Sequence, residues 1–209
     1  MLLENVSTGK PASRAVGVRA FVYTIGAIFL LLFLRRPDAL TAPQFFAEDG
    51  VVFFHDQFLL GIRRSISIPH AGYVLAVQRL TALLGSFFGS ALAPAVYNAT
   101  ALILSACCCA FFMLPVFRAI VRSDRLRFAA CCLFAIALDS AELIGTITQI
   151  QWFLQLLGIL LLVRCWIRES EPRLIVQFLE GLLVLLLVLS CPLLRSCPSL
   201  ASSYRRSQG

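Results

Sequence analysis

Phe45-Phe46-Ala47-Glu48-Asp49-Gly50-Val51-Val52-Phe53-Phe54-His55-Asp56 is the stretch on which the rest of the chain depends. It carries three carboxylates and one of the two histidines of a very apolar protein. Four phenylalanines flank the Glu48-Asp49 pair. A solvated loop has no use for those aromatics, and a membrane span does not readily accept three carboxylates. The stretch therefore predicts a segment at a membrane surface, aromatic side down, with its carboxylates at the edge of a cavity.

The composition agrees. Of 209 residues, 59% are hydrophobic and 14% charged, and the mean hydropathy is +0.87. Soluble domains carry roughly 25% charged residues, so the chain is expected to be an integral membrane protein whose partner is the lipid bilayer. The net charge of +7 is no nucleic-acid signal, because the arginines cluster between apolar runs, where they set topology. No Walker or Rossmann glycine pattern is present. The eight cysteines lack zinc-like spacing to a histidine, and those at 107–109 and 131–132 are expected to be small apolar packing residues.

Apolar runs predict an all-α, polytopic transmembrane bundle with an amphipathic, interfacial first outside loop. Spans are expected near 16–34, 95–117, 128–145, 150–167 and 174–190, all in one domain covering 1–190. The 73–92 segment holds Gln78 and Arg79 and is expected either to cross or to re-enter. Charge favours re-entry. If 73–92 does not cross, Arg118, Arg122, Arg125 and Arg127, and also Arg164, Arg168 and Arg173, fall inside with the N-terminus. Glu48, Asp49, Asp139, Glu142 and Gln149-Ile150-Gln151-Trp152 then fall outside. After Ser190 the pattern stops, and 191–209 is expected to be an irregular tail, either disordered or the mark of a lost reading frame. On the second reading the chain is an N-terminal portion of a longer protein.

The order of features carries a resemblance. A first helix is followed by Ala47-Glu48-Asp49-Gly50-Val51, then Pro69-His70-Ala71-Gly72-Tyr73 and a Leu-rich segment with Arg79. Glu142 and Thr146-Ile147-Thr148-Gln149-Ile150-Gln151-Trp152 come later. Over about 20–189 this resembles the bacterial multi-spanning membrane glycosyltransferases of GT-C type. The resemblance implies a bacterial inner-membrane protein with a cytoplasmic N-terminus, which moves a sugar from a polyprenyl-phosphate donor to an acceptor on the outer face. The chain departs from the family in having fewer spans. It also has Pro69-His70-Ala71-Gly72 where lipid A-modifying members often carry a proline pair and a lysine.

Such a transfer needs a carboxylate near the attacking hydroxyl and positive charge on the leaving phosphate. Glu48 and Asp49 are the expected catalytic pair, with Mg²⁺ or Mn²⁺ as an optional divalent cation on the same oxygens. Alternatively, the pair caps an interfacial helix through the helix dipole. His70, Arg79, Gln149, Gln151 and Trp152 are the expected substrate-binding residues. Arg79, inside an apolar segment, needs a carboxylate partner, for which Glu48, Asp49 and Asp56 are available. His55 is a further acid–base candidate, and Arg63-Arg64 is expected to meet either a substrate phosphate or lipid headgroups. The alternative function is a small non-enzymatic membrane protein, transporter-like or an assembly partner, and a third is an inactive gene remnant. No repeat symmetry of the transporter kind is visible.

Overall fold

Helices form where apolar runs lie between basic clusters, and the computed structural model describes them over residues 11–70, 72–137, 141–167 and 174–190. Asp139, Arg168, Arg173 and the 191–209 tail lie outside the described residues. Helix α1 spans Pro11–Arg35. Its one internal polar side chain after Arg19, Thr24, donates its hydroxyl to the Ala20 carbonyl at 2.8 Å, which satisfies it without a partner helix. The helix ends at Arg35 ahead of Pro37, a residue type that disfavours helix just before it. A four-residue turn, α2 (Asp38–Thr41), follows.

The first loop is itself largely helical. A π-helical turn, Asp49–Phe54, runs directly into α3, His55–Ser65. Helix α3 is amphipathic. Gln57 and Ser65 are buried and joined by a 2.5 Å hydrogen bond from the serine hydroxyl, while Phe58 and Leu59 stay exposed. Gly61 breaks it at φ 67°, ψ 173°, a conformation that only glycine adopts without strain.

Helix α4 (Ala76–Ser86) and α5 (Gly89–Ala110) form a hairpin. Gly85 lets them approach, since a Cβ there would lie 2.7 Å from the Tyr97 ring. Eleven residues of α4 rise only about 16 Å, too little to cross a hydrocarbon core of about 30 Å. Helix α5 begins earlier than the expected 95, because Gly89 at φ +74° closes the Phe87-Phe88 turn and Ser90–Ala93 are compatible with helix. It continues through two 3₁₀ turns to Ala119. The remaining helices are α6 (Asp124–Ala137), α7 (Gln151–Ile167) and α8 (Leu174–Ser190). Helix α6 is described as far as Ala137, and 141–143 is a 3₁₀ turn followed by Gly145 at φ +68°.

Among the described residues, three segments can cross a membrane by length and composition, Gly17–Arg35, Gly89–Ala119 and Thr148–Ile167. The helices alternate in direction. Gly17 of α1 packs on Pro115 below α5, and at the other end of α5 the Asn98 amide donates to the Ala39 carbonyl at 2.9 Å. Arg127 reaches the Met113 carbonyl at 3.0 Å, whereas at the far end of α6 the Ala135 carbonyl accepts from Arg35 at 2.7 Å. Helices α7 and α8 are tied by the Arg164–Glu180 ion pair at 2.8 Å, and Ser190 accepts the Val77 N–H at 3.0 Å. One end of the bundle thus holds Arg118, Arg122, Arg125, Arg127 and Arg164. The other holds the first loop and 141–150. The core between them is built from Ile28, Leu32, Leu102, Ala106, Phe153 and Leu157.

Candidate functional site

Ala47 sits at φ 45°, an uncommon conformation for a residue with a Cβ, and it turns the chain so that Asp49 enters the bundle. The wide π turn buries Asp49 and Phe53 together, both at 0% exposure. Asp49 is held by the chain 98 residues away. Its Oδ1 accepts the Thr148 N–H at 2.8 Å and the Thr148 hydroxyl at 2.6 Å, and its Oδ2 accepts the Ile147 N–H at 3.2 Å. These donors open the 3₁₀ turn Thr148–Ile150 that leads into α7. A carboxylate there satisfies N–H groups that have no partner within the helix. Burial raises the Asp49 pKa from 3.8 to about 6, against the three hydrogen bonds, and the neighbouring Glu48 charge adds to the rise.

Glu48 is half-buried. Gln149 and Gln151 are half-buried and Trp152 exposed on the same turn that Asp49 holds. The Trp152 indole N–H donates to the Gln149 Oε1 at 3.1 Å. The structure thus brings Glu48, Asp49, Gln149, Gln151 and Trp152 to one end of the bundle, from two segments far apart in sequence.

His70 and Arg79 form a second group behind the same π turn. Arg79 is 1% exposed. Its Nη1 donates to Asp56 Oδ2 at 2.7 Å and its Nη2 to the Ile68 carbonyl at 3.2 Å. Its carbon Cζ lies 5.2 Å from the Phe53 ring centroid. Of the three carboxylates available to it, Asp56 is the partner. The His70 ring meets Phe53 edge-on at 6.0 Å, and its backbone pairs with Tyr73 at 2.7 and 2.9 Å. Phe53 therefore stands between guanidinium and imidazole. His55 is exposed, with its Nδ1 3.9 Å from Asp56 Oδ1.

Sequence reasoning did not select Thr148, Phe53, Tyr97 or Gln78. Thr148 lies in the polar connector 146–152, which is visible as a break in the apolar runs. Tyr97 packs edge-on against Phe45 at 5.1 Å, and its hydroxyl is buried without a partner, as are both amide atoms of Gln78. Only the fold brings them to the loop. Beside the loop, a cleft of about 110 Å³ lies between α3 and the α4–α5 turn, lined by Phe54, Gln57, Phe58, Ser86, Gly89 and Ser90.

A divalent cation on Asp49 would have to displace N–H and O–H donors from both oxygens. Among the described residues no three His, Cys, Asp or Glu side chains converge on one point, so this donor set does not fit such an ion. Comparison with family models, with curated proteins and with solved structures gave no match.

Proposed function

We propose that this chain is a membrane-embedded glycosyltransferase of GT-C type, which moves a sugar from a polyprenyl-phosphate donor to an acceptor at the loop-bearing end of the bundle. The observation that carries the reading is the Asp49 clasp. It ties the segment that carries Glu48 to the turn that carries Gln149 and Trp152. In this reading Glu48 receives the proton of the acceptor hydroxyl while that oxygen attacks the anomeric carbon. The bond from that carbon to the phosphate oxygen breaks, and its electron pair leaves with the phosphate. Asp49 positions Glu48 rather than touching substrate, because its oxygens are already engaged. Gln149 and Gln151 supply amides for sugar hydroxyls and Trp152 supplies a ring face. Arg79 has its charge compensated by Asp56 and acts with His70 to hold the π turn.

A second reading, a non-enzymatic membrane protein, is favoured by the same buried carboxylate. A fully buried aspartate with both oxygens hydrogen-bonded is what a purely structural tie requires. The two readings separate in a deletion strain of the host, complemented with wild type, Glu48→Gln or Asp49→Asn, with outer glycans and lipids read by mass spectrometry. Loss of a glycan on deletion, restored by wild type but not by Glu48→Gln, supports the transferase. Restoration by both carboxylate variants overturns it in favour of the second reading.

A further inference from the structure

We infer that the kinked helix α3 is a binding site for anionic glycerophospholipid, with Arg63 and Arg64 taking the headgroup phosphate and Phe58, Leu59 and Ile62 resting among the acyl chains. This stands apart from the transfer reading and does not depend on it.

Arginines at the loop-bearing end of this bundle do not serve the charge rule that sets topology. The cluster that does so lies at the opposite end, at Arg118–Arg127 and Arg164. The other loop-end arginines have internal work. Arg35 donates to the Ala135 carbonyl at 2.7 Å, Arg36 to the Ile144 carbonyl at 2.6 Å, and Arg79 to Asp56 at 2.7 Å. Arg63 and Arg64 are exposed, and among the described residues no carboxylate lies within ion-pair distance of either guanidinium. Two exposed, uncompensated arginines therefore occupy adjacent positions.

Their setting is apolar. Phe58 is 75% exposed, Leu59 62% and Ile62 48%, whereas Gln57 and Ser65 of the same helix are buried and bonded to each other. That bond lies within α3, across the Gly61 break, and satisfies the buried polar pair, while these apolar side chains stay exposed. The Gly61 break redirects the last turn, and the arginines follow it at once. Hydrophobic side chains directed into lipid with two arginines at their border match the phosphate level of a leaflet. Arginine suits a phosphate by its paired N–H groups, and juxtamembrane basic residues attract anionic lipid within a Debye length.

The test uses the full chain in phosphatidylcholine nanodiscs carrying a minor fraction of phosphatidylglycerol, with retained lipid counted by native mass spectrometry. The wild type is expected to retain phosphatidylglycerol over phosphatidylcholine. Arg63→Gln with Arg64→Gln is expected to lower that preference roughly 30-fold, and Arg122→Gln at the opposite end is expected to leave it unchanged. Both guanidiniums are exposed, so the double variant keeps the fold, and circular dichroism checks this. Equal retention of both lipids by the wild type overturns the inference, as does an unchanged preference in the double variant. Polyprenyl phosphate is the third probe. If it occupies the site and phosphatidylglycerol cannot displace it, the arginine pair belongs to the lipid carrier and the inference fails.

Discussion

Replacing Asp49 tests whether the first loop is held to α7 by one carboxylate. Asp49→Ala removes the acceptor for two N–H groups and one hydroxyl. Ile147 is fully buried, so its N–H is left without water, and a buried unsatisfied donor costs about 1–3 kcal/mol. The Thr148 groups are partly accessible and add less, for a total of about 2–5 kcal/mol. Opposing this, the buried charge is itself unfavourable. The rise in pKa from 3.8 to about 6 corresponds to about 3 kcal/mol. Because the folded-state value is the higher one, this contribution is fully present below 3.8 and is lost as pH rises through about 6.

Between about pH 7.5 and about pH 4.5 the wild type should therefore gain about 2 kcal/mol from this group alone. Asp49→Asn keeps the shape without the titration and should lack that gain. The assay is reversible unfolding in mild detergent, followed by far-ultraviolet circular dichroism across this pH range. The difference between wild type and Asp49→Asn isolates the group from other carboxylates. Parallel pH profiles for the two proteins would refute the argument, as would an Asp49→Ala protein as stable as wild type at low pH.

The Arg79–Asp56 pair should be strongly coupled. Either Arg79→Met or Asp56→Ala alone is expected to cost about 3 kcal/mol by stranding a charge beside Phe53, and the double variant should recover most of that loss in a double-mutant cycle. At the opposite end, Arg127→Met should cost about 2–4 kcal/mol, because Nη1 serves the Met113 and Leu114 carbonyls at 3.0 and 2.8 Å. Proteolysis of the segment 111–123 should accelerate in that variant before the rest of the chain unfolds.

The helical bundle was legible because apolar runs and arginine clusters alternate, and both signals are local. The amphipathic character of α3 was legible for the same reason, since its apolar residues recur next to Gln57, Arg63 and Arg64. The need of Arg79 for a carboxylate also followed from its place in an apolar segment. Which carboxylate it takes did not, because Glu48, Asp49 and Asp56 differ only in how the π turn rotates them. That turn has no sequence signature. It places Asp49 and Phe53 inward and leaves Asp56 to α3. The Thr148 partner was hidden by a separation of 99 residues. Past the described part of α6, the 3₁₀ turn over 141–143 and Gly145 at φ +68° form a break that no local apolar pattern announces.

The two ends of the bundle are closed by the same device with opposite sign. Helix α7 begins at the loop-bearing end, so its N–H groups and the positive end of its dipole face the first loop, and Asp49 meets them with a carboxylate. Helix α5 finishes at the other end, and the carbonyls of the 3₁₀ turn that follows it and of Leu114 face Arg127. Asp124, whose carboxyl is drawn down to about 2 by hydrogen bonds from Arg118 and Arg127, fixes that guanidinium from behind. Charges that complement helix ends are stabilising where they are partly buried. The arginine cluster at that end is therefore placed to serve carbonyls exposed where helical segments terminate. At the other end the Asp49 carboxylate serves the amide end. The Glu48-Asp49 pair then needs only one of its two members for the fold. Asp49 is consumed by it, which leaves Glu48 as the carboxylate of the pair that is free to do something else.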